Sequence, residues 1–214
     1  MRSQYCILLI AAILACTLLV LPVSAISADA VNWYTRGNAL ITSRNYTDAV
    51  AAFDHAISLE PAYIEAWNGK ADALNRAHNY TEALTASDKV IALDPNYLKG
   101  WINRGYILYN LGRYSDELAA YEQAIACDPS SAEAWFNKGY ALGGLGRWQD
   151  ALSAFDRVER LDPTYPNLAA NQNIARQNLD AATPFYIKQA PVIGVVTLFV
   201  IIAVVWVWMV KKKN

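Results

Sequence analysis

Few side chains in this 214-residue chain are of a type and spacing that could do chemistry. The two histidines, His55 and His78, are not matched by a second ligand on the same helix face, so neither builds a metal site. The run Gly143-Gly144-Leu145-Gly146 follows no strand, which a phosphate-cradling loop requires, and reads as a helix end and turn. Asp94, Asp128 and Asp162 each precede a proline and read as helix ends, not as acid/base pairs. Cys127 is the one cysteine between the two apolar ends of the chain, so no internal disulfide is expected there. Two stretches remain, Asn45-Tyr46-Thr47 and Asn79-Tyr80-Thr81. Asn-x-Thr accepts an N-linked glycan wherever the segment lies outside the cytosol. These residues compose no catalytic set, and no metal or cofactor is expected.

Topology decides whether the Asn-x-Thr pairs can matter, and the chain ends supply it. Residues 1–25 place Arg2 before an apolar run and end on Val23-Ser24-Ala25, the layout of a secretory signal peptide. An uncleaved signal anchor is the alternative. Residues 190–210 carry no charge. At about 1.5 Å per residue such a helix spans about 30 Å, the thickness of a bilayer's hydrocarbon core. Phe185, Tyr186, Trp206 and Trp208 stand at its two ends, where aromatic side chains favour the interfaces. Lys211, Lys212 and Lys213 follow the span against only Lys188 before it, which puts the tail 211–214 in the cytoplasm. The expectation is a single-pass, type I protein of the cell membrane, with residues 26–189 extracytoplasmic. That segment holds 14 basic residues against all 19 acidic ones, a net charge of −5. Nucleic-acid binding wants a basic face and is not expected.

The segment is repetitive. Trp33, Trp67, Trp101 and Trp135 stand 34 residues apart, as do Pro61, Pro95, Pro129 and Pro163. Blocks 30–63, 64–97, 98–131 and 132–165 align on them. Within a block the tryptophan, a small residue and an apolar residue fall at spacings of four and three, one face of a first helix. A second helix repeats the pattern, and proline ends it. Each helix pair leaves an apolar face open, so pairs are expected to stack. The fold class is all-α. Residues 166–180 read as a capping helix: Leu168, Ile174, Ala175 and Leu179 are expected inward, and Asn171, Gln172, Asn173, Arg176, Gln177 and Asn178 outward. Residues 181–189 join it to the span. Cys127 aligns with Leu59, Leu93 and Leu161 and is expected to be a buried core thiol.

Residues 30–163 resemble four tandem tetratricopeptide (TPR) repeats. The first block shows Trp33, Gly37, Leu40, Tyr46, Ala49, Phe53, Ala56 and Pro61; the fourth shows Trp135, Gly139, Leu142, Trp148, Ala151, Phe155 and Pro163. Ala71 replaces the small glycine and Ser87 the large aromatic of the second block, and Glu117 replaces the small alanine of the third. The resemblance implies a right-handed superhelical solenoid whose concave groove binds protein or peptide. Carried over position by position, the groove includes Asn38, Asn68, Asp72, Lys99, Asn103, Tyr106, Tyr109, Phe136, Asn137 and Tyr140, with Tyr34, Glu65, Arg76, Ile102, Asn110 and Glu133 alongside. Several of these aromatics have the alternative role of packing between repeats. The subtype that clamps acidic C-terminal tails is not implied: of its five positions only Asn38 and Lys99 fit in one register, and only Asn103 in the next.

The expected function is therefore a membrane-anchored extracytoplasmic scaffold or assembly factor that binds a protein or peptide. The alternatives are a self-associating surface component and an accessory subunit of a membrane enzyme or secretion complex. The Asn-x-Thr stretches fall in the turns between paired helices. There Asn45 and Asn79 are expected to cap the second helix, with Asp48 and Glu82 at the capping-box position.

Overall fold

The computed structural model describes residues 26–182. The expected signal segment, the span, the tail and most of the 181–189 join lie outside the described residues. No described helix is long and apolar enough to cross a membrane. All regular structure among the described residues is helical. The helices are α1 (Ala28–Thr42), α2 (Tyr46–Leu59), α3 (Ile64–Arg76), α4 (Tyr80–Leu93), α5 (Leu98–Asn110), α6 (Tyr114–Cys127), α7 (Ala132–Gly144), α8 (Trp148–Leu161) and α9 (Leu168–Ala182). They divide into two compact units, one ending at Pro95 and the other beginning at Asn96. In the first, α1 packs on α2, α2 on α3, α3 on α4, and α1 also reaches α3; in the second, α5 to α9 pack in succession and α7 also meets α9.

The first helix of each pair ends on a residue in the left-handed region: Arg44 (φ 60), His78 (φ 64), Gly112 (φ 70) and Gly146 (φ 72). The next backbone N–H then turns back to a carbonyl five residues earlier, as from Asn45 to Leu40 and from Arg147 to Leu142, both at 2.9 Å. This satisfies helix-end carbonyls that would otherwise be orphaned. His78 is thus a turn residue, its ring Nδ1 2.6 Å from the Tyr80 hydroxyl. Second helices end on Glu60, Asp94, Asp128 and Asp162, the three aspartates in extended conformation. The Asp128 carboxylate accepts from the Ser130 N–H and hydroxyl, and Asp162 does the same for Thr164. Those bonds hold Asp128 below the usual carboxylate range.

In each unit a tryptophan joins one helix pair to the next. The indole N–H of Trp67 donates to the Pro61 carbonyl at 3.0 Å, and that of Trp135 to the Pro129 carbonyl at 3.0 Å. A cation lies over each ring: Arg36 over Trp33, Lys70 over Trp67, Arg104 over Trp101 and Lys138 over Trp135, at 5.1 to 5.9 Å. At an exposed site each such contact is worth about 0.5–1 kcal/mol.

Aromatic rings on second helices fill the core, and glycines on first helices make room for them. Phe53 is fully buried. A Cβ added at Gly37 or at Gly69 would sit 2.6 Å from its ring. Tyr121 fits against Gly105, and Phe155 against Gly139, in the same way. Burying one such ring stabilises the fold by up to about 3 kcal/mol. The second repeat lacks the ring, having Ser87 instead; the opposing residue is Ala71, and both are buried.

Four local expectations need correction. Asn45 caps α2, accepting from the Asp48 N–H at 3.5 Å, but the Asp48 carboxylate takes the Asn45 side-chain amide (2.6 Å) and not its backbone N–H. Asn79 occupies the N-cap of α4 without a side-chain cap hydrogen bond. On α9, Gln172 is buried and bonds Asp156 and Glu159 on α8, while Ile174 is 51% exposed. The inward stripe is Leu168, Gln172, Ala175, spaced by helical phase, so the glutamine's position outweighs its polarity. Cys127 is half-buried, like Leu93 and Leu161, and Leu59 is exposed. This position lies at the helix end, where the flank of the pair meets water.

Candidate functional site

In the first unit, the groove positions stand on α1 and α3. Asn38 and Glu65 are exposed, and Asn68 and Asp72 are half-buried. Asp72 is bridged by the Arg76 guanidinium, whose Nε donates to both carboxylate oxygens at 2.8 and 2.9 Å. That contact also holds the Arg76 guanidinium in its charged form. Tyr34 packs between Phe53 and Tyr63, with ring centroids at 6.0 and 5.2 Å. It therefore contributes to the core of its unit.

In the second unit, α5 and α7 carry the corresponding positions. Lys99 is exposed and Asn103 half-buried. Ile102 is buried at 4% exposure, and Phe136 packs between Phe155 and Tyr165. Asn137 is also buried, and its amide donates to the Tyr106 hydroxyl at 2.9 Å. Burial pushes the Tyr106 hydroxyl up, against the opposing effect of that bond. Ile102, Phe136 and Asn137 thus shape the wall from behind. Tyr106, Tyr109 and Tyr140 present exposed ring surface.

Tyr109 and Tyr140 belong to a larger feature. Their rings lie 6.2 Å apart, and Tyr114, at the start of α6, stands edge-on to Tyr109 at 6.1 Å. The three border a cavity of about 460 Å³ whose lining also includes Glu117, Gly143, Gly144, Trp148 and Ile174. The Tyr140 hydroxyl beside it pushes the Tyr109 phenol up. Glu117 is only 2% exposed, and its Oε2 has no hydrogen-bond partner among the described residues. Burial pushes its carboxyl up to about 7. In the other three repeats the equivalent residues are Ala49, Ala83 and Ala151, all fully buried. The sequence shows Glu117 only as a departure from the repeat. A charge standing where every other copy has alanine was the available signal. Tyr114 and Trp148, also on the lining, carried no such mark.

Among the described residues no group of three or more His, Cys, Asp or Glu is set to hold a metal. His55 stacks on Trp33 at 4.4 Å and packs against the repeat. Asn45 and Asn79 are both exposed at their turns.

Comparison with known families decides the lineage. A tetratricopeptide repeat model matches residues 34–97, 77–132 and 102–166. The chain belongs to the tetratricopeptide repeat family. Solved TPR structures share its fold. A Pseudomonas aeruginosa pilF structure matches with a TM-score of 0.64 at 19% identity, over 71% of this chain and 74% of that one. YrrB, described as a TPR protein with an unusual peptide-binding site, matches with a TM-score of 0.57 at 22% identity, over 72% of this chain and 79% of that one. The first TPR domain of Spaghetti (RPAP3), bound to the HSP90 peptide SRMEEVD, matches with a TM-score of 0.53 at 20% identity, over 57% of this chain and 98% of that one. No curated protein sequence matches the chain.

Proposed function

We propose that this TPR protein is a membrane-anchored scaffold that holds a protein or peptide partner outside the cytosol, against the faces of its first helices. The observation that carries the reading is the exposed ring surface of Tyr106, Tyr109 and Tyr140 on α5 and α7, the helices that bear the family's groove positions. Tyrosine offers contact area at low entropic cost. Two of the solved relatives carry peptide binding in their descriptions, which supports a peptide-sized ligand. The clamp positions of the acidic-tail subtype are not matched here, so the partner is expected to be of another kind. The anchor rests on the uncharged run 190–210 and the lysines after it.

Cross-linking the full chain in its native membrane, followed by mass spectrometry, identifies the partner. The double variant Tyr106→Ala/Tyr109→Ala is expected to lose it while keeping its helical circular dichroism. Undiminished capture by a folded double variant would remove the groove reading. Self-association that rises with concentration would favour the surface-component alternative. Protease added outside intact cells should reach the repeats but not the lysine tail.

A further inference from the structure

The cavity in the second unit has a character that peptide-backbone binding does not require. It combines three half-exposed tyrosine rings, Tyr109, Tyr114 and Tyr140, with a carboxylate sealed beneath them. At about 460 Å³ it falls within the size range of small-ligand pockets. Glycines keep it open. Gly143 and Gly144 stand where the third repeat has Tyr109 and Asn110, and a Cβ at Gly144 would meet nothing within 4 Å. An aromatic rim attracts cations through the ring quadrupoles. A buried carboxylate oxygen without a partner is costly, and a donor that carries positive charge relieves that cost best.

We propose that this cavity is a recognition pocket for an alkylammonium group, the lysine side chain of a bound polypeptide, with Glu117 as the counter-ion and Tyr109, Tyr114 and Tyr140 as the cage.

Three features select this chemistry. The orphan acceptor is the single oxygen Oε2, which suits a point donor such as an ammonium better than the two-pronged fork of a guanidinium. A quaternary ammonium could use the rings but has no N–H to offer that oxygen. The apolar lining from Ile174, Ala175 and Trp148 matches a lysine's methylene stem, which packs on apolar surface while its head seeks charge. The free carboxyl, held near neutrality by burial, becomes fully ionised once an ammonium sits beside it. Among the described residues Glu117 is the only charged side chain on the lining, and no cation among them competes for it. The polypeptide source of the lysine rests on the scaffold reading above; the ammonium site itself does not.

The test uses the full chain in non-ionic detergent and follows its Trp148 indole resonance by NMR. The probes are Nα-acetyl-lysine methylamide and its uncharged counterpart, Nα-acetyl-norleucine methylamide. Saturable shifts with the lysine probe are expected, at least tenfold weaker with the norleucine probe. Glu117→Gln keeps the shape and removes the charge; it is expected to weaken lysine binding at least tenfold. Tyr140→Ala, at an exposed position, is expected to weaken it as well, and serves as a second variant whose fold is not at risk. Equal binding of the two probes, or full binding by a folded Glu117→Gln variant, would overturn the proposal. Tetramethylammonium binding as tightly as the lysine probe would reduce the site to an aromatic cage and also overturn the role of Glu117. If n-butylamine binds like the lysine probe while the cross-linked partner is held equally by wild type and Glu117→Gln, the pocket serves a free amine. The polypeptide source then falls and the scaffold reading stands. Loss of the partner in Tyr106→Ala, a position off the cavity lining, bears on the scaffold reading only.

Discussion

The second and third repeats are built on one 34-residue frame, and three of the interior positions at which they differ are instructive. Where the second has Ala71, Ala83 and Ser87, the third has Gly105, Glu117 and Tyr121. All six residues are buried. The glycine and the tyrosine go together, since the ring needs the space that a Cβ would occupy; the alanine and the serine go together for the complementary reason. Such paired changes leave the backbone alone and are matters of volume. Glu117 has no compensating change of that kind. Its carboxyl is longer than the alanine it replaces, polar where the core is apolar, and missing a partner on one oxygen. The comparison separates a substitution that the fold absorbs from one that it only tolerates.

The largest expected effect tests the volume side. Tyr121→Ala leaves a ring-sized void in a fully enclosed site and should cost about 3–5 kcal/mol, read by chemical denaturation. Ser87→Ala in the second repeat, which has no ring to lose, should cost far less by the same measurement.

Next is the charge. The Glu117 carboxyl is raised to about 7 in the fold, from an ordinary value of 4.5 in the unfolded chain. Between those values the unfolded state gives up the proton first, so stability is full below the lower value and falls as pH rises towards the upper one. The whole loss, about 3 kcal/mol, is reached above pH 7. Glu117→Gln should flatten this slope and be more stable than wild type at pH 8, with no gain at pH 4. Ala83→Gly, at the same position of the second repeat, should show no change of slope.

A third experiment tries to convert one repeat into the other. Ser87→Phe alone overfills the second repeat and should cost about 1–3 kcal/mol. Adding Ala71→Gly should recover part of that, and a double-mutant cycle reads the coupling. A coupling of zero would break the view that the two positions are one unit of volume. The smallest effect concerns the matching turns of the first and second repeats. Asn45→Ala removes a cap bond and should cost about 1 kcal/mol, whereas Asn79→Ala, with no such bond, should cost a few tenths. Thermal midpoints of the two variants distinguish them.

Much of the fold was legible because the sequence repeats it four times. Trp and Pro at a fixed interval gave the period, and the apolar spacing gave the helix faces. What sequence type could not convey was phase and partner. Polarity points Gln172 outward, although its place in the stripe with Leu168 and Ala175 puts it against α8. The apolar counterparts Leu59, Leu93 and Leu161 point Cys127 inward, although that place in the repeat lies on the flank. Asn45 and Asn79 have the same Tyr-Thr context, yet only the former caps its helix. The groove positions came from family resemblance, and the structure divides them by exposure: Phe136 and Asn137 lie behind the surface, and Tyr109 and Tyr140 on it. Glu117 is visible as an exception, but the residue and its tyrosine neighbours come from three helices, α5, α6 and α7, and leave no local pattern.

The bonds from Trp67 to Pro61 and from Trp135 to Pro129 also bear on how such a chain can change its length over time. Six residues separate donor and acceptor in each. An insertion or deletion between them would shift the indole out of reach of the carbonyl and rotate the following helix away from its face. The turn within a helix pair is closed by backbone bonds, as from Asn45 to Leu40, that need no particular side chain, and it ends on exposed residues. Length variation among descendants of this gene is therefore expected at Arg44, His78, Gly112 and Gly146, and not between the proline and the tryptophan. The constant step from Pro61 to Trp67, from Pro95 to Trp101 and from Pro129 to Trp135 is what that constraint leaves behind.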